Sequence, residues 1–161
     1  EGATLRGFHT PGHAPDHMCF LLEEESGLFT GDNVLGVGTT IIPAKTGNLG
    51  HYMASLKRLL ALEPSVIFPA HGPLVGDACG KIRQYLAHRL EREGQIVAAL
   101  EAGAQHVPEI VKIVYAAYPE SLHAAAGQSV TSHLIKLEAE GRVSSTGDET
   151  AQWTLNATPP E

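Results

Sequence analysis

The segment His9-Thr10-Pro11-Gly12-His13 follows a short apolar run, and Gly31-Asp32 and Pro69-Ala70-His71-Gly72 lie beside later apolar runs. Each segment places a histidine or an aspartate on a glycine-containing loop at the end of a predicted strand. Imidazole nitrogen and carboxylate oxygen are ligands for zinc and similar divalent ions, and such loops commonly carry binding residues. The pattern predicts one metal site, with the ligands His13, Asp32 and His71.

In this order, the three segments resemble the third, fourth and fifth metal motifs of the metallo-β-lactamase superfamily, which includes glyoxalase II and several nucleases. The resemblance implies that His13, in T-P-G-H, binds a metal ion. It implies that Asp32, after F-T-G, bridges two ions, and that His71 is a ligand in P-A-H-G, where the family has P-G-H-G. The cofactor implied for the intact protein is zinc, as two ions.

A closer resemblance is to the branch known as β-lactamase-like protein 2. It rests on Gly36-Val37-Gly38-Thr39-Thr40, Tyr52-Met53-Ala54-Ser55-Leu56 and His88-Arg89-Leu90-Glu91-Arg92-Glu93. Members of that branch append a winged-helix-like domain to the lactamase fold. The implied fold class is α+β: residues 1–79 form the second half of an αββα sandwich, and residues 80–161 form the winged-helix-like domain.

The superfamily signature H-x-H-x-D-H, which supplies two ligands to each metal ion, does not occur in this sequence. We therefore expect the chain to be the C-terminal part of a longer protein, whose upstream half completes both the fold and the site. Three ligands shared between two ions leave each ion mostly hydrated. We accordingly expect the isolated chain to be inactive, or nearly so, and to bind metal weakly.

Hydrophobic periodicity agrees with this organisation in the first half. We predict strands at residues 5–8, 17–24, 28–30 and 66–68, the second of them buried on both faces because most of it is apolar. The glycine-, threonine- and proline-rich residues 33–48 are predicted to form a long loop over the metal site. Apolar residues at helical spacing predict a helix over residues 49–62.

The second half is predicted to be mainly helical. Helices are expected over residues 80–102 and 108–118. A third element is expected to start at Pro119-Glu120, with an apolar stripe over residues 129–140 and with Gly141 as its end. Residues 142–145 and 152–155 are predicted to pair as a hairpin around Thr146-Gly147-Asp148. Helices followed by a terminal hairpin are the order of a winged helix, independently of the family resemblance.

Composition limits the function classes. The 161-residue chain has a net charge of −7 and a pI near 5.7, with 4 basic and 8 acidic residues up to residue 80 and 7 and 10 after it. Neither half is basic, which argues against a broad nucleic-acid surface. No apolar run is long enough to span a membrane. Cys19 and Cys79 form no C-x-x-C motif, and Cys19 is expected to be buried, which fits a cytoplasmic or organellar-matrix location.

Several further residues are candidates near the site. His17 either orients a metal ligand or is structural, and His9 is expected to be structural, with its imidazole bonded to a loop backbone. His88 and Arg89 either face a substrate cleft or pack between helices. Arg89 and Arg92 are the predicted contacts for an anionic substrate in a cleft between the two domains. The sequence has no G-x-S-x-G element and no cysteine in an activating context, so a serine or cysteine hydrolase is not indicated.

The predicted function is that of a binuclear metal-dependent hydrolase, which uses a metal-activated hydroxide on an ester, a thioester or a phosphodiester. The family branch implies single-stranded RNA as a substrate, whereas its wider relatives act on thioesters or lactams. The competing hypothesis is a catalytically inactive module that binds a protein or a nucleic acid through the winged helix. The expected partners are the upstream half of the fold and a small ester or thioester or an RNA, with no membrane.

Overall fold

The computed structural model describes residues 2–147 and 151–157. It divides into two compact units, residues 1–89 and residues 90–161.

The first unit is built on a four-stranded sheet in the order β1 (Leu5–His9), β2 (Met18–Leu22), β3 (Gly27–Gly31) and β4 (Val66–Pro69). Neighbouring strands from β1 to β3 are antiparallel, and β3 and β4 are parallel. A parallel pair needs a crossover connection, and helix α1 (Leu49–Leu60) lies within it. All four strands and α1 agree with the sequence prediction to within one or two residues at their ends.

One face of the sheet forms the core of the first unit. Alternate residues of each strand point to the same face, and those on this face pack against α1 and the beginning of α2 (Ala78–Glu101). The buried side chains of this core include Phe8, Cys19, Leu21, Leu28, Ile67, Leu49, Tyr52, Met53, Leu56, Leu59, Ala78, Ile82 and Tyr85.

The opposite face of the sheet is apolar and accessible. Phe29 stacks on Phe68 with ring centroids 4.9 Å apart, and Phe20 pairs with Phe29 on the adjacent strand. The prediction that the second strand is buried on both faces is therefore wrong, because its residues alternate between the core and this accessible surface. We call this surface the open sheet face; its side chains are Leu5, Met18, Phe20, Phe29 and Phe68.

The second unit contains α3 (Val107–Val114), α4 (His123–Ala139) and a hairpin of β5 (Val143–Ser145) and β6 (Trp153–Leu155). A single turn of 3-10 helix, Glu120–Leu122, precedes α4. The 3-10 turn and α4 together form the third element, which was predicted to start at Pro119-Glu120, and the alanine-rich beginning of α4 favours a helix. Helix α3 ends four residues before the predicted 118. The hairpin agrees with the predicted pairing; within its turn, Asp148 lies outside the described residues.

Helix α4 ends as the sequence predicted. Gly141 has φ of 71°, its N–H donates to Glu138 O at 2.9 Å, and the N–H of Arg142 donates to Leu137 O at 2.9 Å. This is a Schellman ending, which a glycine stabilises because it adopts positive φ without steric cost. Below it, the carboxylate of Glu93 is buried between Lys136 and Arg142, 2.7 Å from each. These pairs hold α2 to α4 and the hairpin.

The boundary between the two units falls between residues 89 and 90, within α2, and not at residues 79 and 80, where the sequence prediction placed it. The reason lies in the buried faces of this helix. Ile82 and Tyr85 belong to the first core, whereas Ile96 and Leu100 belong to the second. The change to a helical sequence pattern indicates where α2 begins, whereas the division between the two hydrophobic cores falls in the middle of this helix.

Within residues 2–147 and 151–157, no helix has the length and apolar character needed to cross a bilayer.

The two thiols of the described chain should differ in reactivity. Cys19 is fully buried, and burial raises the pKa of its thiol to about 11, whereas Cys79 is partly exposed. Since the thiolate is the reactive form, a disulfide reagent at pH 8 should modify one thiol rapidly in the native chain and both in denaturant. The variant Cys79→Ser should lose the rapid phase. A rapid native phase that survives this substitution would contradict the assigned burial of Cys19.

Candidate metal centre

Asp32 and His71 lie side by side, with His71 Nε2 3.3 Å from Asp32 Oδ1. Asp32 directly follows β3, and His71 follows β4 by two residues. Because β3 and β4 are parallel and Gly31 pairs with Pro69, their carboxyl ends deliver the two side chains to the same edge of the sheet. The Asp32 side chain is 42% exposed and the His71 side chain 75% exposed, so both are accessible to an ion from solution.

His13 lies on the loop between β1 and β2, and its Nδ1 is 2.8 Å from the carbonyl oxygen of Ile41. A carbonyl only accepts hydrogen bonds, so Nδ1 carries a proton, and in the neutral ring Nε2 keeps a free lone pair. This is the state in which histidine binds metals, with the second ring nitrogen bonded to a backbone carbonyl. The chemistry of His13, Asp32 and His71 therefore fits a divalent cation.

The described part of the chain does not assemble a complete set of ligands. Among residues 2–147 and 151–157, no three His, Cys, Asp or Glu side chains are grouped closely enough to hold a metal ion. Of the three predicted ligands, the structure brings Asp32 and His71 together. That His13 joins them on one ion stays a prediction.

His17 connects two loops of the site. Its Nε2 accepts a hydrogen bond from the backbone N–H of Asp32 at 3.3 Å, so in the neutral ring Nδ1 carries the proton and donates to Thr10 Oγ1 at 3.0 Å. Burial, with the nearby His13 as the next cause, lowers the pKa of His17, which favours this neutral ring. Of the two predicted roles, these contacts support the one in which His17 orients the segment that carries a ligand.

The hydrogen bonds continue from His17 into the core. Thr10 Oγ1 donates to Cys19 Sγ at 3.3 Å, and the thiol in turn donates to Thr30 O at 3.6 Å. The side-chain amide of Asn33 donates to Thr10 O at 2.8 Å. Thr10 and Asn33 had no role predicted from the sequence; their signal was that Thr10 is a polar residue within one predicted ligand segment and Asn33 directly follows another. Both are fully buried and fix the geometry of the loops beneath the site.

Helix α1 holds the loop of residues 9–13 by three hydrogen bonds to its carbonyl oxygens. Ser55 Oγ donates to Pro11 O at 2.8 Å, and Arg58 donates to His9 O at 3.2 Å. The N–H of Asn48, which caps α1, donates to Gly12 O at 2.8 Å. Gly12 is required here, because its φ is 146° and a Cβ atom would lie 2.4 Å from the Cα of Tyr52.

The loop of residues 33–48 contacts two predicted ligands, in agreement with its expected place over the site. Thr40 Oγ1 donates to Asp32 O at 2.6 Å, and the carbonyl of the neighbouring Ile41 accepts from His13. Aromatic side chains of the two helices hold this loop in turn: Tyr52 donates to Asn33 O at 2.7 Å and Tyr85 to Gly38 O at 2.9 Å.

The two arginines predicted to contact an anionic substrate are instead buried and make contacts within the protein. Arg89 is 5% exposed, donates to Thr40 O and lies over the ring of Tyr52. Arg92 is 8% exposed and lies 4.2 Å from the centroid of the Tyr115 ring. We therefore correct their roles: the contacts of Arg89 support the site loop, and those of Arg92 support the second unit.

The remaining histidines divide as follows. His9 has the predicted structural contact, since its Nε2 lies 2.8 Å from Pro15 O. His88 is half-buried on α2, and its contact with a substrate stays a prediction.

Comparison with known proteins agrees with this geometry. Residues 1–71 match the metallo-beta-lactamase superfamily, and residues 107–153 match the beta-lactamase associated winged helix domain. The chain therefore carries a metallo-beta-lactamase superfamily domain followed by a beta-lactamase associated winged helix domain. The predicted α+β fold, with a lactamase-type half followed by a winged helix, is thereby confirmed.

Three curated relatives illustrate the similarity. The lactamase-like protein adaB of Aspergillus niger is 38% identical over 99% of this chain and 54% of its own length. The beta-lactamase-like protein 2 homolog of Drosophila melanogaster is 42% identical over 92% of this chain and 51% of its own length. The atrochrysone carboxyl ACP thioesterase AgnL7 of Paecilomyces divaricatus is 52% identical over 63% of this chain and 31% of its own length. The chain spans about half the length of the first two.

A solved structure has the same fold. The metallo-beta-lactamase family protein of Thermus thermophilus superposes with a TM-score of 0.79 at 27% identity, over 96% of this chain and 52% of that protein. The chain therefore has the fold of a superfamily that includes hydrolases, and its relatives include proteins named as thioesterases.

Metal titration tests the site directly. The binding free energy of zinc on the isolated chain should be smaller in magnitude than the roughly 10 kcal/mol or more that is typical of closed structural sites, because few ligands are present. Asp32→Asn and His71→Ala should each lower the affinity about tenfold or more by calorimetry. His123→Ala, in the second unit, is the matched control and should leave the affinity unchanged. Two tight sites on this chain alone, or an unaffected Asp32→Asn variant, would show that the site is wrongly assigned.

Proposed function

We propose that this chain supplies the C-terminal half of a metal-dependent hydrolase that cleaves thioesters. The observation that carries the proposal is the Asp32–His71 pair at the ends of two adjacent parallel strands, in a chain whose relatives include proteins named as thioesterases. The pair lies on one accessible edge of the sheet, where a substrate carbonyl can approach it.

His13, Asp32 and His71 are the residues that would hold the metal, with zinc and two ions as our hypothesis. Bound divalent ions polarise a substrate carbonyl and lower the pKa of water toward neutrality. The upstream half is proposed to supply the remaining ligands.

The other residues of the site keep the ligands in position. His17 and Thr40 bond the backbone N–H and C=O of Asp32, and the backbone carbonyl of His71 accepts from Gly36 N at 2.9 Å. Each ligand-bearing segment is therefore tied to a neighbouring segment before any substrate arrives. Such preorganisation lowers the cost of reorganising the site during reaction.

Charge favours a thioester over RNA as the substrate. The chain carries a net charge of −7, with acidic residues in excess in both halves, whereas proteins that bind nucleic acid neutralise phosphates with clustered lysine and arginine. Arg89 and Arg92, which were predicted from the sequence to contact an anionic substrate, are buried in internal contacts. Single-stranded RNA and a purely binding role for the winged helix become alternative outcomes of the activity test.

We further propose that the open sheet face is covered by the upstream half of the protein. Its five apolar side chains include Leu5, 56% exposed, and Phe29, 40% exposed, and contiguous apolar surface of this kind marks an interface. The chain matches only about half the length of its curated relatives. A second half of comparable size is therefore the occupant that we assign to this face.

An activity assay tests the proposed reaction. A longer form that includes upstream sequence should release thiol from a small acyl thioester, should lose activity to a chelator and should regain it with zinc. Asp32→Asn should lower kcat/KM about a hundredfold, and His123→Ala should leave it unchanged. Cleavage of single-stranded RNA without thioester cleavage would replace the thioester proposal with a phosphodiesterase. Inactivity on both substrates would favour the binding-module alternative.

Dye binding tests the open sheet face. The isolated chain should enhance the fluorescence of an apolar dye such as ANS, and the double substitution Phe20→Ser and Phe29→Ser should remove most of that signal, because both rings are surface-exposed. Ile113→Ser, an exposed apolar residue of the second unit, is the control. The longer form should bind little dye. Concentration-dependent loss of the signal together with dimer formation by sedimentation would assign the face to a second copy instead.

A further inference from the structure

A pocket of about 280 Å³ lies between α1 and the loop that precedes His13, and neither Asp32 nor His71 lines it. It is lined by His9, Pro11, His51, Ala54, Ser55 and Arg58. We propose that this pocket binds a phosphate group. The proposal rests on residues other than the predicted metal ligands, so it stands or falls independently of the proposed hydrolysis.

The charge of the pocket differs from that of the chain as a whole. Half of its lining residues are arginine or histidine and none is acidic, although the chain has 18 acidic residues against 11 lysines and arginines. Among the described residues, no carboxylate forms an ion pair with Arg58. Arg6, on β1, by contrast forms an ion pair with Glu23 at 3.0 Å. A full positive charge at Arg58 is therefore available to an anion.

The guanidinium of Arg58 is held in a defined orientation. Its Nη1 donates to His9 O at 3.2 Å, and its Cζ lies 5.4 Å from the centroid of the Phe8 ring. Arginine has five N–H donors in a rigid planar fork, and this contact uses one of them. The remaining donors match the oxygen atoms of a phosphate, which arginine binds in a two-pronged manner.

The two histidines extend the donor set. Nε2 of His9 donates to the carbonyl of Pro15, which leaves Nδ1 for a ligand. His51 is in the first turn of α1, where its backbone N–H is already bonded to Asn48 Oδ1, and its exposed ring lines the pocket. An imidazole accepts from a protonated phosphate oxygen or, when protonated, donates to a charged one. The combination suits a phosphate monoester better than a carboxylate, which offers only two oxygens.

The size of the pocket limits what the phosphate belongs to. Its volume of about 280 Å³ is just below the roughly 300–1,000 Å³ of small-molecule sites, so it accommodates a phosphate and a few neighbouring atoms. The phosphate group can come from a small molecule, such as a coenzyme-type thioester, or from the end of an oligonucleotide.

Inorganic phosphate titrated into the full 161-residue chain tests the site, with histidine NMR signals as the readout. Binding should be weak, on the order of millimolar, and should shift the signals of His9 and His51. Arg58→Ala should weaken it about tenfold and His51→Ala about threefold. Lys57→Ala, the adjacent exposed lysine outside the pocket, should leave it unchanged. No shift at these histidines, or equal affinities in the Arg58 and Lys57 variants, would overturn the proposal.

Two larger probes identify the source of the phosphate. Coenzyme A whose affinity falls in Arg58→Ala and not in Lys57→Ala would assign the pocket to a small-molecule phosphate. The same pattern with a 5′-phosphorylated oligoribonucleotide, and not with coenzyme A, would assign it to RNA. Phosphate should bind the Asp32→Asn variant as it binds the unmodified chain, because Asp32 does not line the pocket, so failure of this proposal is distinguishable from failure of the metal site.

Discussion

The hydrogen bonds between α1 and the loop of residues 9–13 are the constraint on which the site depends. A loop that turns sharply cannot pair its carbonyl oxygens within regular secondary structure, so it needs other hydrogen-bond donors, and each buried oxygen left unpaired costs stability. Ser55, Arg58 and the N–H of Asn48 satisfy three of them. The same helix supplies Tyr52 to the core and to the second loop, so one helix fixes both loops relative to the sheet.

The parallel pairing of β3 and β4 is the second constraint, because it brings Asp32 and His71 together. Because adjacent parallel strands end at the same edge, residues that are 39 positions apart in the sequence become neighbours. The crossover that makes the pairing possible is the segment that contains α1. The element that connects the two strands thus also holds the loop of His13, and the fold gives α1 two functions at once.

Much of this was accessible from the sequence. The strands, α1 and the hairpin followed from apolar periodicity, and the structural contact of His9 and the helix-ending role of Gly141 followed from local chemistry. The burial of β2 was wrongly predicted, because an apolar residue on an accessible face looks the same in sequence as one in a core. The roles of Arg89 and Arg92 were missed because a charged residue on an amphipathic helix is normally solvated. The structure shows that each of these two arginines contacts a backbone carbonyl and an aromatic ring inside the protein.

The contact between Gly12 and Tyr52 has a consequence for how this site can diversify. The backbone of α1 lies so close to the loop that any side chain at position 12 would displace the helix, and with it the hydrogen bonds that hold residues 9–12. Laboratory evolution of a new specificity should therefore place its random codons at exposed positions of the loop of residues 33–48, such as Val37 and Ile41, and leave position 12 unvaried. In this respect the scaffold separates a rigid segment, which keeps the ligand in place, from exposed side chains of a neighbouring loop, whose replacement leaves the internal contacts intact.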